Sequence, residues 1–205
     1  ISASLVGSEM CIRDRSKESK NFEENLKIIN NQIKQIGNLV NEFSDFARMP
    51  KPTLRFNNLV KIIQENIKLL NQLDTSIEIN FSYDADLINF KCDKEQLSRV
   101  FLNLIKNSIE SVKQKSEKYP NYDKKIDIEI NENDIYIMCV IIDNGVGFKN
   151  ISTNIKDILN PYFTTKKNGS GLGLSIVNKI VNDHNGKIKF ITIDDGAKII
   201  IEFVK

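Results

Sequence analysis

The sequence predicts an α+β fold: a two-layer α/β sandwich, with helices on one face of a mixed, mostly antiparallel sheet, preceded by one long helix. Three observations carry this. Apolar residues spaced alternately by four and three run from Phe22 to Ala47, the 3.5 period of a helix that buries a narrow seam. Stretches such as Ile77-Glu78-Ile79-Asn80-Phe81 and Ile126-Asp127-Ile128-Glu129-Ile130 alternate, as half-buried strands do. Strands and helical stretches then follow one another, and helices layered on one side of a sheet bury both apolar faces.

Residues 1–16 show no clear period and are assigned to no domain. They lack the basic start and apolar core of a signal peptide, and the string from Ser4 to Arg15 resembles translated sequencing-adaptor read-through. On that reading the gene is truncated and an N-terminal part is missing. Residues 17–49 form the long helix. Its seam of Phe22, Leu26, Ile29, Ile33, Ile36, Val40, Phe43 and Ala47 is separated by Lys, Asn, Gln and Glu. One helix cannot bury a two-in-seven stripe, so helix 20–48 wants partner helices in a bundle or coiled coil. Met49-Pro50-Lys51-Pro52 stops it, and residues 50–56 read as a linker into a domain spanning 57–205.

In that domain Asn57 or Asn58 can cap a helix through about Gln72. A strand over Ile77–Phe81 and a short one near Leu87–Cys92 follow. Asp93 can cap a helix to about Lys115, with Leu97, Val100, Phe101, Leu104, Ile105 and Ile109 inward. Lys113 to Lys125 reads as a polar, flexible link. Strand Ile126–Ile130 turns at Asn131–Asp134 into the apolar run Ile135–Ile142, giving a hairpin. Residues 149–160 read as loop plus a short helix. A helix from about Leu172 to His184 ends at Asn185-Gly186, and strands Lys187–Ile193 and Ala197–Val204 close the chain.

Composition excludes several functions. The chain has 205 residues, 40% apolar, with a net charge of +2, so nothing calls for nucleic acid. Three cysteines lack Cys-x-x-Cys spacing, which argues against zinc and against a disulfide framework and fits a reducing compartment. The longest apolar run, eight residues, is too short to span a bilayer. No Gly-Lys-Ser/Thr follows a glycine-rich loop, which excludes a P-loop.

Three stretches carry chemistry. Asp143-Asn144-Gly145-Val146-Gly147 follows the apolar strand. An acceptor-only carboxylate beside bare backbone suits an amine on a flat ring, such as adenine N6; an ordinary Asp-Asn-Gly turn is the alternative. Gly169-Ser170-Gly171-Leu172-Gly173 opens a helix, whose N–H groups favour an anion such as phosphate, with Thr164, Thr165 and Lys166 as further donors; a merely flexible loop is the alternative. Asn103 and Asn107, four apart on one helix, share a face. Their amides either cap or face solvent, or ligate a Mg²⁺ bridging phosphates.

Together with Pro161-Tyr162-Phe163-Thr164-Thr165, these stretches occur in the order of the N, G1, F and G2 boxes. Residues 53–205 resemble the ATP-binding domain of histidine kinases, within the wider Bergerat-fold family. Leu39–Pro50 resembles the end of a second dimerisation helix, as in kinases of the nitrogen-regulation type.

The resemblance implies ATP and Mg²⁺ as cofactors. It places Asp143 on adenine N6, with Gly145 and Gly147 beside it, and Asn107 on the metal, with Asn103 nearby. Lys166, Thr165, Gly169, Gly171, Leu172 and Gly173 fall at the phosphates under a lid of about Thr164–Ser170, with Asn103 and Lys166 as the catalytic pair. It further implies a homodimer through helix 20–48 and a response-regulator receiver domain as partner. The domain is then cytoplasmic, in a parent anchored in the inner membrane through its missing N-terminal region.

The family's acceptor histidine lies on a first dimerisation helix. The single histidine here, His184, ends a helix, where a cap to helix-end carbonyls is expected, so no phosphoacceptor is assigned. A Bergerat-fold ATPase of the chaperone or mismatch-repair class, or an inactive nucleotide-binding dimerisation module, are the competing readings. Family hydrolases place Glu where Asn103 stands, and an amide cannot take a proton from water as a carboxylate can.

Overall fold

The heptad stretch forms one α-helix, α1 (Ser2–Ala47), which stops just before the expected Met49-Pro50 break. A computed structural model describes residues 2–148, 155–166 and 169–205, and it divides into two units, residues 1–48 and 49–205. The helix extends well beyond the periodic stretch toward residue 2. Period reports a face to be buried, whereas the backbone can coil without one. Along α1 the seam residues Phe22, Leu26, Ile29, Ile33 and Ile36 are exposed.

The second unit begins with a strand the sequence does not announce. β1 (Arg55–Asn58) takes the end of the expected linker and pairs antiparallel with β3 (Asn89–Cys92). Its lone apolar side chain, Phe56, is 76% exposed, so no alternation marks it. The pairing is reinforced by Asn57 Nδ2 donating to Cys92 O at 2.9 Å.

Helix α2 (Leu59–Leu73) is capped by Asn58, whose Oδ1 accepts from Val60 N at 3.1 Å. Asp93 caps α3 (Lys94–Lys118), accepting from Glu95 N and Gln96 N; such caps are worth about 1 kcal/mol each. The expected flexible link is half helix. α3 runs on to Lys118, and the next strand starts at Lys125. The polar residues there serve as the solvent face of a helix whose buried side still includes Val112.

The main sheet has strands β2 (Glu78–Tyr83), β4 (Lys125–Glu132), β5 (Tyr136–Asp143), β6 (Gly186–Ile193) and β7 (Gly196–Val204), in the order β2-β4-β5-β7-β6. Only the β2–β4 pair is parallel. β4 and β5 form the expected hairpin. A short 3₁₀ turn spans Ile155–Leu159, and α4 (Gly173–Asp183) precedes β6. The helices pack α2 on α3 and α3 on α4, with α3 against β5 and α4 against β6.

Register places the core face in rows: Ile128 opposite Ile141 and Ile141 opposite Ile199, Ile130 opposite Cys139 and Cys139 opposite Ile201. All of these are buried, and each large apolar side chain so covered contributes roughly 1.5–3 kcal/mol. The same register sets Asp143 between Ile126 and Ala197. A carboxylate thus stands between two apolar cross-strand neighbours.

Candidate functional site

Asp143 lies at the last position of β5, facing inward, 3% exposed. Its Oδ1 accepts from Gly145 N at 3.0 Å and from the Ser111 hydroxyl at 3.4 Å. Burial nevertheless pushes its carboxyl above the ordinary carboxylate value, against the pull of the Gly145 N–H and the neighbouring hydroxyls. Removing water from a charge outweighs a few neutral donors. The Ser108 hydroxyl is buried close enough to favour the ionised form, yet meets no partner in good hydrogen-bond geometry. A buried acid and an under-satisfied hydroxyl side by side are what a polar ring edge can satisfy.

The turn after Asp143 is held from both sides. A Cβ on Gly145 would sit 2.2 Å from Ser111 Oγ and 2.6 Å from its backbone carbon, so only glycine lets this loop lie on α3. Ser111 Oγ also accepts from Val146 N at 3.1 Å. Gly147, at φ 63°, lies against the Gly196 carbonyl. On the other side Asn144 Oδ1 accepts from Lys125 N at 3.0 Å and from Tyr122 OH at 3.0 Å, and its Nδ2 donates to Asp123 O. Lys115 Nζ donates to Asn144 O at 2.7 Å, pairs with Asp195, and sits 4.8 Å over the Tyr122 ring. Tyr122 is pushed up to about 12, by burial first and then by the charges of Asp143 and Asp195, so it stays a donor.

The second half of the site is the start of α4. Leu172, fully buried, precedes the first helical residue, Gly173. Its N–H is taken by Ser170 Oγ at 3.2 Å. Gly171 has φ 70°, and a Cβ there would meet the Tyr162 carbonyl carbon at 2.4 Å. Tyr162 itself has φ 68° and donates its N–H to Gly171 O at 3.0 Å. A bulky residue in the left-handed region is costly and is held only where its surroundings insist. This contact pins together the two ends of the expected lid. Within it, Thr164 Oγ1 accepts from Lys166 N at 3.1 Å, Gly169 N donates to Lys166 O at 3.3 Å, and Thr165 is exposed. Lys167 and Asn168 lie outside the described residues.

On α3, Asn103 Nδ2 donates back to Arg99 O at 3.0 Å. Asn103 Oδ1 lies 3.4 Å from where a Cβ on Gly173 would be, beside the N-terminus of α4. One turn on, Asn107 Oδ1 accepts from Lys166 Nζ at 2.7 Å, and the same ammonium pairs with Glu110 Oε2. Two oxygens of α3 thus already converge on one cation. That fits the donor set a hard divalent ion takes. Among the described residues no group of three or more His, Cys, Asp or Glu could hold a metal, so any such ion would lean on nucleotide phosphates and water.

The family described as histidine kinase-, DNA gyrase B- and HSP90-like ATPases matches residues 92–205. The chain belongs to this family. It is 33% identical, over 97% of its length, to an NtrY-like sensor histidine kinase of Rickettsia felis, of which it covers 33%. It is 30% identical, over 90% of its length, to the nitrogen regulation protein NtrY of Azorhizobium caulinodans, of which it covers 23%. The chain thus spans about a third or less of these curated relatives. The solved catalytic domain of histidine kinase ThkA superposes with a TM-score of 0.63 at 27% identity, covering 74% of this chain and 95% of that one. ThkA in complex with response regulator TrrA has the same fold, at a TM-score of 0.67 and 22% identity, over 87% of this chain and 49% of that one. The domain is therefore a sensor histidine kinase ATP-binding domain.

In this kinase domain His184 is structural, as its helix-end position suggests. It is 4% exposed. Its Nδ1 bonds Ile180 O at 2.8 Å, and its Nε2 accepts from Asp93 N at 3.0 Å, so the proton is on Nδ1 and neither nitrogen is open. The buried thiols are inert: burial raises Cys92 to about 11 and Cys139 further still. Among the described residues no helix is long and apolar enough to cross a membrane.

Sequence reasoning missed Ser111, Glu110, Lys115 and Tyr122. Ser111 stands four residues beyond Asn107 on the face shared with Asn103, and Glu110 three beyond; extending that spacing by one turn finds both. Lys115 and Tyr122 carry no local signal, because their partners come from the β5 turn and the β6–β7 turn.

Proposed function

We propose that this domain binds Mg-ATP and transfers its γ-phosphoryl group to a histidine on a dimerisation helix outside this chain, for relay to a response-regulator aspartate. The observation that carries this is the convergence at one end of the sheet of a buried acceptor, Asp143, with the N-terminus of α4 and the Asn107–Lys166 pair. The spacing along α3 from Ser111 through Asn107 to Asn103 matches a nucleotide laid from base to phosphates.

Asp143 and the Ser111-braced turn hold the adenine amine. Gly171 and Gly173 offer backbone N–H groups to the phosphates, with Leu172 between them held by Ser170 Oγ, and Gly169 and Thr165 flank them on the lid. Lys166 supplies a mobile positive charge for the transferring group, and phosphoryl transfer is mostly positioning and charge stabilisation of this kind. Mg²⁺, when bound through Asn107, would neutralise part of the phosphate charge. Asn103 beside α4 orients without abstracting a proton from water, which favours transfer over hydrolysis.

The exposed seam of α1 supports homodimerisation through helix 20–48, and the complex of ThkA with TrrA supports a receiver domain as partner. The test is incubation with γ-labelled ATP, with and without a supplied dimerisation domain bearing the acceptor histidine. Acid-labile label on the supplied domain, and none on this chain, is expected. Transfer is weak because docking is bimolecular. Label on this chain alone, lost in His184→Gln, overturns the reading.

A further inference from the structure

We propose that Glu110 is, with Asn107, a protein ligand of the divalent cation that accompanies ATP, and that Lys166 occupies the cation position when no metal is bound. The inference rests on the Mg-ATP reading above. Glu110 follows Asn107 by three residues on α3, so the two side chains share a face. Their oxygens meet at a single point, the Lys166 ammonium, which lies 2.7 Å from Asn107 Oδ1 and also pairs with Glu110 Oε2. A neutral amide alone is a poor anchor for Mg²⁺, which is usually held by one or two carboxylates plus substrate phosphates. Glu110 supplies that carboxylate.

The Lys166 and Glu110 side chains are 45% and 40% exposed, so the ammonium can leave without uncovering a core. Metal and lysine then compete for the same oxygens. Arrival of the metal frees Lys166, on the lid, to turn to the phosphates, so the lid lysine is released only when metal is present. Without metal Glu110 holds Lys166 back from the phosphates, and with metal it holds the cation, so loss of the carboxylate should affect metal-free and metal-bound nucleotide in opposite directions.

The experiment is calorimetric titration of the chain with a non-hydrolysable ATP analogue, with and without Mg²⁺, and counting of bound Mn²⁺ by electron paramagnetic resonance. Glu110→Gln should cut the affinity gained from Mg²⁺ by about tenfold, while metal-free nucleotide binds as well as before or better. Lys166→Met should lower the Mg²⁺ concentration needed for half the effect. Both variants change exposed groups, and a thermal melt confirms that they fold. An unchanged metal gain and Mn²⁺ affinity in Glu110→Gln overturns the proposal, as does an equal loss of metal-free binding in both variants, which makes Glu110 only a seat for the lysine. A wild-type chain that binds no nucleotide at all overturns the Mg-ATP reading itself.

Discussion

The two ends of the proposed nucleotide site are built differently. At the base end Asp143 is 3% exposed, its turn is wedged against Ser111, and Asn144 is tied down by Lys125, Tyr122 and Lys115. At the phosphate end Thr165 and Lys166 are exposed, and the lysine is held by a solvent-facing ion pair to Glu110. On the proposed reading the base end is set before a nucleotide arrives, and the phosphate end is completed by it. Preorganisation lowers the cost of binding, so the base end should dominate affinity and selectivity.

Substitutions can break this contrast or sharpen it. The largest effect is expected from Gly145→Val, because its side chain would enter Ser111 and Val112 backbone. Overpacking of this kind costs about 3 kcal/mol, and urea denaturation should show it together with loss of nucleotide binding. A stable, binding-competent variant would mean that the turn is not wedged.

Next comes Asp143→Ala. Removal of a buried acceptor should cost about 1.5–3 kcal/mol of ATP binding. GTP, with a carbonyl in place of the amine, should bind the wild type worse by a similar margin. Equal ATP and GTP affinity by calorimetry removes the adenine assignment.

Asp143→Asn separates binding from stability. The folded carboxyl titrates above its ordinary value of 3.8, so the folded state holds the proton more tightly than the unfolded chain. Stability is then full below that value and declines as pH rises through the folded value. The neutral amide should abolish this decline and raise stability at neutral pH, while ATP binding is weakened. Melting curves across pH check it, and a variant that keeps the wild-type slope refutes the assignment to Asp143.

The smallest effect on stability belongs to the phosphate end. Lys166→Met removes an exposed pair worth about 0–1 kcal/mol, so denaturation should scarcely change. A large destabilisation would show that this ion pair is as firmly built in as the Asp143 turn.

Much of this was legible in the sequence because it is local. The caps Asn58 and Asp93, the hairpin of β4 and β5, the stop before Met49-Pro50 and the helix-end role of His184 each follow from spacing and backbone chemistry within a few residues. The buried setting of Asp143 was legible too, from a carboxylate ending an apolar run. Tertiary structure alone decided the rest. β1 is held by pairing with β3 rather than by its own pattern, and the helical extension to Lys118 has a polar face that reads as a loop. The pairing of Lys166 with Asn107 and Glu110 joins residues more than fifty positions apart, and the clamp of Lys115 and Tyr122 on Asn144 joins the end of α3 and the link after it to the turn after β5. Short-range spacing records what a residue offers its own helix or strand, whereas a side chain's partner across the fold is fixed only when sheet register and helix packing bring distant segments within hydrogen-bond reach.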